Sequence, residues 1–149
     1  MHYGDQSETE DLQRALKRAG GKFDAIIDDG GHTFRQQTTS LSHLFVHGLA
    51  PGGFYFLEDT ITSLIRGSYA DSDESTMQFL SDTVTDMARS FDGVLIVTGH
   101  TALNKQLSDL VFRVDAVPGM YVLSKISEEQ KRLVRQKVRA LSRMHVCRG

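Results

Sequence analysis

Two short stretches hold the residues best able to do chemistry, Asp28-Asp29-Gly30-Gly31-His32 and Glu58-Asp59. Each follows an apolar run, Phe23-Asp24-Ala25-Ile26-Ile27 before the first and Phe54-Tyr55-Phe56-Leu57 before the second, and such runs read as short buried strands. Ligands of an open parallel α/β sheet bind outside the carboxyl ends of its strands. If the helix between the two strands makes a right-handed crossover, the strands can lie side by side, and four carboxylates then crowd one rim. A bound cation relieves their repulsion. Oxygen ligands without a cysteine or histidine cluster favour Mg²⁺ or Ca²⁺ over zinc. His32 sits on the turn into the next helix and reaches the same rim. Histidine titrates near neutral pH, which suits a general base, and a divalent ion beside it would acidify and orient a bound hydroxyl. The rim fits proton removal from an alcohol.

A single aspartate after a strand more often caps the next helix, and Glu-Asp pairs in loops are commonly just solvated. Only the five residues together, at two strand ends, favour chemistry. His43 and His47 are spaced i, i+4 and could chelate zinc, but no third ligand is evident and they read as two helix-surface histidines. Phe54, Tyr55 and Phe56 read as core, and Tyr69 is placed to line an acceptor pocket.

The elements that must position these residues can be read from spacing. Ser7-Glu8-Thr9-Glu10 has the pattern of a capping box, with Leu12, Ala15, Leu16 and Ala19 following at helical intervals and Gly20-Gly21 as the stop. A second helix, from about Thr33 to Leu49, puts Phe34, Leu41, Leu44, Phe45 and Gly48 on one face. Ala50-Pro51-Gly52-Gly53 is a turn. Met77, Leu80, Val84, Met87 and Phe91 repeat as a third helix, and Gly93 to Thr98 reads as a strand. Val111 to Ala116 and Met120 to Lys125 flank Val117-Pro118-Gly119 as a hairpin. Ser127, with Gln130 three residues later, opens a last helix. Strand–helix alternation followed by a hairpin argues for an α/β sandwich with a largely parallel sheet.

Composition bounds the function. The 149 residues, 40% hydrophobic and 24% charged, make one domain of ordinary soluble composition. No apolar run approaches the ~20 residues of a membrane span, and a lone cysteine, Cys147, fits a reducing, cytoplasmic setting. Residues 1–124 carry nine Lys/Arg against seventeen Asp/Glu, and residues 125–149 carry eight against two. That basic end reads as a surface helix packed on the domain rather than a nucleic-acid contact.

The segments quoted above, together with Leu44-Phe45 and Pro51-Gly52-Gly53, resemble class I S-adenosylmethionine-dependent methyltransferases. Within that class they are most similar to the metal-dependent sugar O-methyltransferases of macrolide biosynthesis and the related cephalosporin hydroxylase-like proteins. The group has one strand ending Asp-Asp-Gly-Ser-His, a Pro-Gly-Gly turn and a second strand ending Glu-Asp; Gly31 stands here in place of the serine. Gly4-Asp5-Gln6 is similar to the family's segment after its third strand, where the acid lies near the adenine, and the hairpin at Pro118-Gly119 resembles the antiparallel pair that closes such sheets.

The resemblance implies a partial Rossmann-like sheet, mostly parallel with a C-terminal antiparallel hairpin and helices on both faces. Residues 1–126 would form part of a methyltransferase domain without its N-terminal glycine-rich strand-loop, leaving Phe23–Ile27 as an exposed sheet edge, and 127–149 a basic helix. By matching of motifs, Asp29, Glu58 and Asp59 would hold Mg²⁺ or another hard divalent cation, and His32 would be the catalytic base. Asp5, Gln6 and Asp28 would lie on the S-adenosylmethionine side. The implied activity is metal-assisted O-methylation of a small hydroxylated acceptor, with a sugar favoured, and the implied protein partner is a second copy or another chain completing the sheet. The alternative is a non-catalytic module that kept the half-sheet and lost the chemistry.

Overall fold

A computed structural model of the chain describes residues 4–65, 67, 69–91 and 102–146, with side chains for 4–65, 67, 69–87 and 105–137. Helix α1 (Thr9–Ala19) leads into strand β1 (Phe23–Asp28), and helix α2 (Phe34–His43) with a π-helical turn (Leu44–Gly48) leads into β2 (Leu49–Glu58). A 3-10 turn (Thr60–Leu64), α3 (Thr76–Phe91) and α4 (Ala102–Leu110) precede the hairpin of β3 (Val111–Val117) and β4 (Met120–Lys125), and α5 (Glu128–Val146) follows. The strand order is β1-β2-β4-β3. β1 and β2 run parallel, whereas β4 is antiparallel to both β2 and β3. The sheet is therefore α/β with the expected terminal hairpin, but mixed rather than mostly parallel among the described strands. The proposed strand at Gly93–Thr98 and Cys147 lie outside the described residues.

Local chemistry sets the helix ends. Thr33 caps α2, accepting from Gln36 N, while the Gln36 side chain returns to Thr33 N. Ser127 and Gln130 close the same box at α5. The box expected at Ser7 does not form. The Ser7 amide and hydroxyl both donate to Asp5 Oδ1, at 2.8 and 2.7 Å, so a tight Asp-based turn consumes the cap and α1 starts two residues later with Glu8 in the cap position. At the other end Gly20, at φ 79°, stops the helix as expected.

The Pro51-Gly52-Gly53 turn is a bulge inside β2. Two steps along β1, Phe23 to Ala25, are matched by five along β2, Leu49 to Phe54. Gly53 has no room for a side chain there, since a Cβ would sit 2.7 Å from Asp24 O. Past the bulge, Ile26 lies opposite Tyr55 and Asp28 opposite Leu57.

The core lies on the sheet face carrying Tyr55, Leu57 and Leu123, packed against Leu41 and Phe45 from the α2 segment, Phe79 and Leu80 from α3 and Leu107 from α4. The helical stripe anticipated for α2 is present, with Leu41 and Phe45 fully buried and Phe34 and Leu44 packed at the margin. On the other sheet face Ile27 and Phe54 are exposed, and β1 is the sheet edge. No described helix is long and apolar enough to cross a membrane.

Lys125 is buried against this core. Lys125 Nζ donates to Phe45 O, Val46 O and Leu49 O at 2.7, 2.9 and 2.9 Å, tying β4 to the end of the π-helical turn whose carbonyls would otherwise lack partners. Burial lowers its pKa to about 8, with Lys22 and Lys131 adding to the effect. Lys125→Met would leave three carbonyls unpaired, and at roughly 1–3 kcal/mol for a buried polar group left unsatisfied the expected loss is about 3 kcal/mol by urea denaturation. A change below about 1 kcal/mol would show that the tie is dispensable.

Candidate active site

The strand register delivers the acids to one rim. β1 ends at Asp28 and β2 at Glu58, so the residues that follow, Asp29 and Asp59, emerge at the same end of the parallel pair. Asp59 takes a left-handed conformation at φ 51°, which Asp tolerates better than most residues and which breaks the alternation of β2. The Asp29 carboxylate, a His32 ring nitrogen and the Asp59 carboxylate come within 4.8 Å of one another. His32 Nε2 lies 3.7 Å from Asp59 Oδ2. Glu58 is not part of this trio. It follows Leu57, which is core, so strand alternation turns it to the other face. Both aspartates are exposed.

Thr62 and Tyr69 contact His32, and Gln37 secures the end of β2 beside it. Thr62 Oγ1 donates to His32 O at 2.7 Å and to Asp59 O at 2.6 Å, bridging the ends of the two strands. Gln37 Nε2 donates to Glu58 O at 2.9 Å, while Gln37 Oε1 accepts from Thr76 Oγ1 at 2.7 Å. Tyr69 packs beside His32, ring centroids 6.3 Å apart, where an acceptor-pocket wall was expected. His32 Nδ1 is buried with no hydrogen-bond partner among the described residues, which is uncommon for a buried polar atom. Gly31 has a local reason: a Cβ there would run into the Gln36 amide that closes the α2 capping box.

Asp28 sits apart from this rim. Its side chain is buried and fully engaged. Gln6 Nε2 donates to Oδ1 at 2.6 Å, and both Tyr55 OH, at 2.5 Å, and Ser40 Oγ donate to Oδ2. Gln6 also donates to Ser40 Oγ at 2.9 Å and accepts from Gly31 N at 2.6 Å, so its amide clamps the 28–31 loop from beneath. Asp5 is exposed and accepts from Ser7. The structure thus groups Gln6 with Asp28, and neither with the Asp29–His32–Asp59 trio. Burial raises the Asp28 pKa, opposed by the hydrogen bonds from Ser40, Tyr55, Gln6 and the Gly30 backbone. Burial, with the Asp28 charge added, pushes the Tyr55 hydroxyl well above its ordinary value, so it stays a donor.

Sequence reading passed over Gln37 and Ser40. Their signal was a polar residue on the apolar stripe of α2, since both are buried with Leu41.

No family model matches the chain. Its sequence is 41% identical over 70 residues to mycinamicin VI 2''-O-methyltransferase of Micromonospora griseorubida, covering 47% of this chain and 17% of that protein. It is 40% identical over 83 residues to 8-demethyl-8-alpha-L-rhamnosyl tetracenomycin-C 2'-O-methyltransferase of Streptomyces olivaceus, covering 54% of this chain and 21% of that one. The fold superposes on MycE methyltransferase from the mycinamycin biosynthetic pathway in complex with Mg and SAH, with TM-score 0.66, 26% identity, and coverage of 83% of this chain and 32% of that chain. The chain is similar in sequence and in fold to class I methyltransferases. It spans about a fifth of the length of the curated relatives and about a third of the solved one. A further structure of MycE, holding Mg, SAH and mycinamycin VI, matches with TM-score 0.63 and 26% identity. The sheet presents Asp29 and Asp59 outside the carboxyl ends of its parallel strands, where open α/β sheets bind their ligands.

Two tests follow from the buried network. Asp28 has a raised pKa in the folded chain, so it contributes stability below its unfolded value that is lost as pH rises through the folded one. The stability of the parent chain relative to Asp28→Asn, by urea denaturation from pH 4 to 7.5, is expected to fall as pH rises; a flat difference would refute the assignment. Gln6→Ala removes three hydrogen bonds, each worth about 1 kcal/mol, and is expected to cost about 2 kcal/mol and to speed amide exchange at Gly31.

Proposed function

We propose that this chain carries the acceptor-activating part of an S-adenosylmethionine-dependent O-methyltransferase acting on a hydroxyl of a small molecule, a sugar or a sugar-bearing macrolide. The observation that carries the reading is the meeting of Asp29, His32 and Asp59 within 4.8 Å at the strand ends. The likeness to sugar O-methyltransferases, one of them solved with Mg, SAH and mycinamycin VI, supports it.

The donor set fits a hard divalent cation. Asp29 and Asp59 offer anionic oxygens from two strand ends, Glu58 lies next in sequence, and no described residue offers a thiolate. Asp29 and Asp59 would hold the cation, which would supply Lewis-acid acidification of the acceptor hydroxyl, and S-adenosylmethionine would supply the methyl group. The chain's own residues do the rest. His32 takes the hydroxyl proton on its imidazole, and the Asp59 carboxylate 3.7 Å away stabilises the resulting imidazolium. Thr62 fixes both backbone segments, so the base and the carboxylate keep their spacing. Tyr69 walls the space beside the imidazole. Gln6 and Asp28 hold the loop that carries Asp29 and so shape the donor side, with Asp5 exposed one residue before Gln6.

Calorimetric titration of the chain with S-adenosylmethionine, with and without Mg²⁺, tests the reading. Binding that strengthens with the metal is expected, and binding indifferent to it would sink the metal-assisted mechanism. His32→Ala should lower turnover by about 10²–10⁴, the usual contribution of a general base, while metal affinity stays within about twofold. Near-normal turnover in that variant would remove His32 from the role.

A further inference from the structure

At the opposite end of the strands from the carboxylate rim, a cleft of about 660 Å³ opens between the end of α1 and the end of the α2 segment. Lys17 and Lys22 border it on one side and His43 and His47 on the other, with Gln13 and the Gly20-Gly21 stop completing the wall. Among the described residues no carboxylate lines it. Neither lysine has an ion-pair partner among the described residues. The two imidazoles stack with centroids 4.8 Å apart, and His43 Nε2 is buried with no hydrogen-bond partner among the described residues. At Gly20 and Gly21 a Cβ would meet nothing, so this side of the cleft is open.

We propose that this cleft binds an oxyanion of the phosphate class, carried on a small phosphorylated molecule. Two lysines, two histidines and one glutamine line it, and ammonium, imidazole and amide N–H groups are the donor chemistry of phosphate recognition. The i, i+4 histidines alone would suit a zinc-class ion, but flanking lysines and the missing third ligand disfavour a cation. Volume decides the size of the ligand, since about 660 Å³ lies within the span of small-molecule pockets and far exceeds a bare phosphate. The groups acting on His43 come from both packed elements. Burial and the neighbouring His47 disfavour its charged form, while Glu10 on α1 favours it. A bound oxyanion adds to the Glu10 effect. The carboxyl ends of two helices bring partial negative charge to the same region, which offsets part of the lysine field and keeps the affinity modest.

The test is a titration of the full chain with inorganic phosphate and then with ribose 5-phosphate, at constant ionic strength, following the imidazole resonances by NMR. His43 and His47 are expected to shift together and saturably, with a dissociation constant for phosphate on the order of 1–10 mM, while His32 stays still. The Lys17→Ala/Lys22→Ala variant changes two exposed side chains and should weaken binding by about tenfold. Tighter binding of the ester is expected and would assign a phosphorylated small molecule as occupant; equal affinity for the free anion would overturn that assignment. Shifts that never saturate, or an affinity unchanged in the double variant, would overturn the proposal.

Discussion

Asp28 faces Leu57 across the parallel pair of the sheet, and Ile27 faces Phe56. A slip of one residue in that register would turn every side chain of β1 to the other face, sending Asp28 into solvent and Ile27 against the helices. The bulge at Pro51-Gly52-Gly53 absorbs the mismatch between the strands before they reach this point, and the tight approach of Gly53 to Asp24 O pins it. Because the register holds, Asp29 and Asp59 leave the sheet side by side, and His32 at the head of α2 falls between them. The candidate chemistry is a consequence of where two strands end together.

A buried carboxylate beneath that rim is an expensive support. Taking Asp28 out of water disfavours its charge, and the donors from Gln6, Ser40 and Tyr55 return part of the cost. A network of this kind is useful when every member is satisfied, and each Asp28 oxygen has a donor here. What it secures is position: Gln6 connects Asp28 to the Gly31 amide, one residue before His32. Lys125 plays a matching part at the other end of the core, where its ammonium closes the carbonyl end of the π-helical turn. Two polar anchors thus fix the two ends of the α2 segment.

Much of this was legible in the residues. Apolar runs ending in acids marked β1 and β2, Pro118-Gly119 marked the hairpin, and Ser127 with Gln130 marked the start of α5. Other features depended on competitions that spacing does not reveal. Ser7 looked like a cap, but Asp5 lies two residues away and takes its hydroxyl. Glu58 and Asp59 are equal as sequence, yet strand alternation turns the first away while a left-handed backbone brings the second to His32. Gln6 and Asp28 read as cofactor residues by resemblance, but their hydrogen-bonding groups are spent within the protein. Gln37 and Ser40 are polar residues on an apolar stripe, a signal that periodicity alone averages away.

The central claim is that Asp29, His32 and Asp59 form one cation-dependent centre. The most direct measurement is titration of the chain with Mn²⁺ as a paramagnetic stand-in for Mg²⁺, following relaxation of the histidine resonances. The account predicts that His32 broadens first, at substoichiometric metal, and that Asp29→Asn/Asp59→Asn abolishes the effect while His43 and His47 stay sharp. Broadening that begins at His43 and His47, or that survives loss of both aspartates, would contradict it.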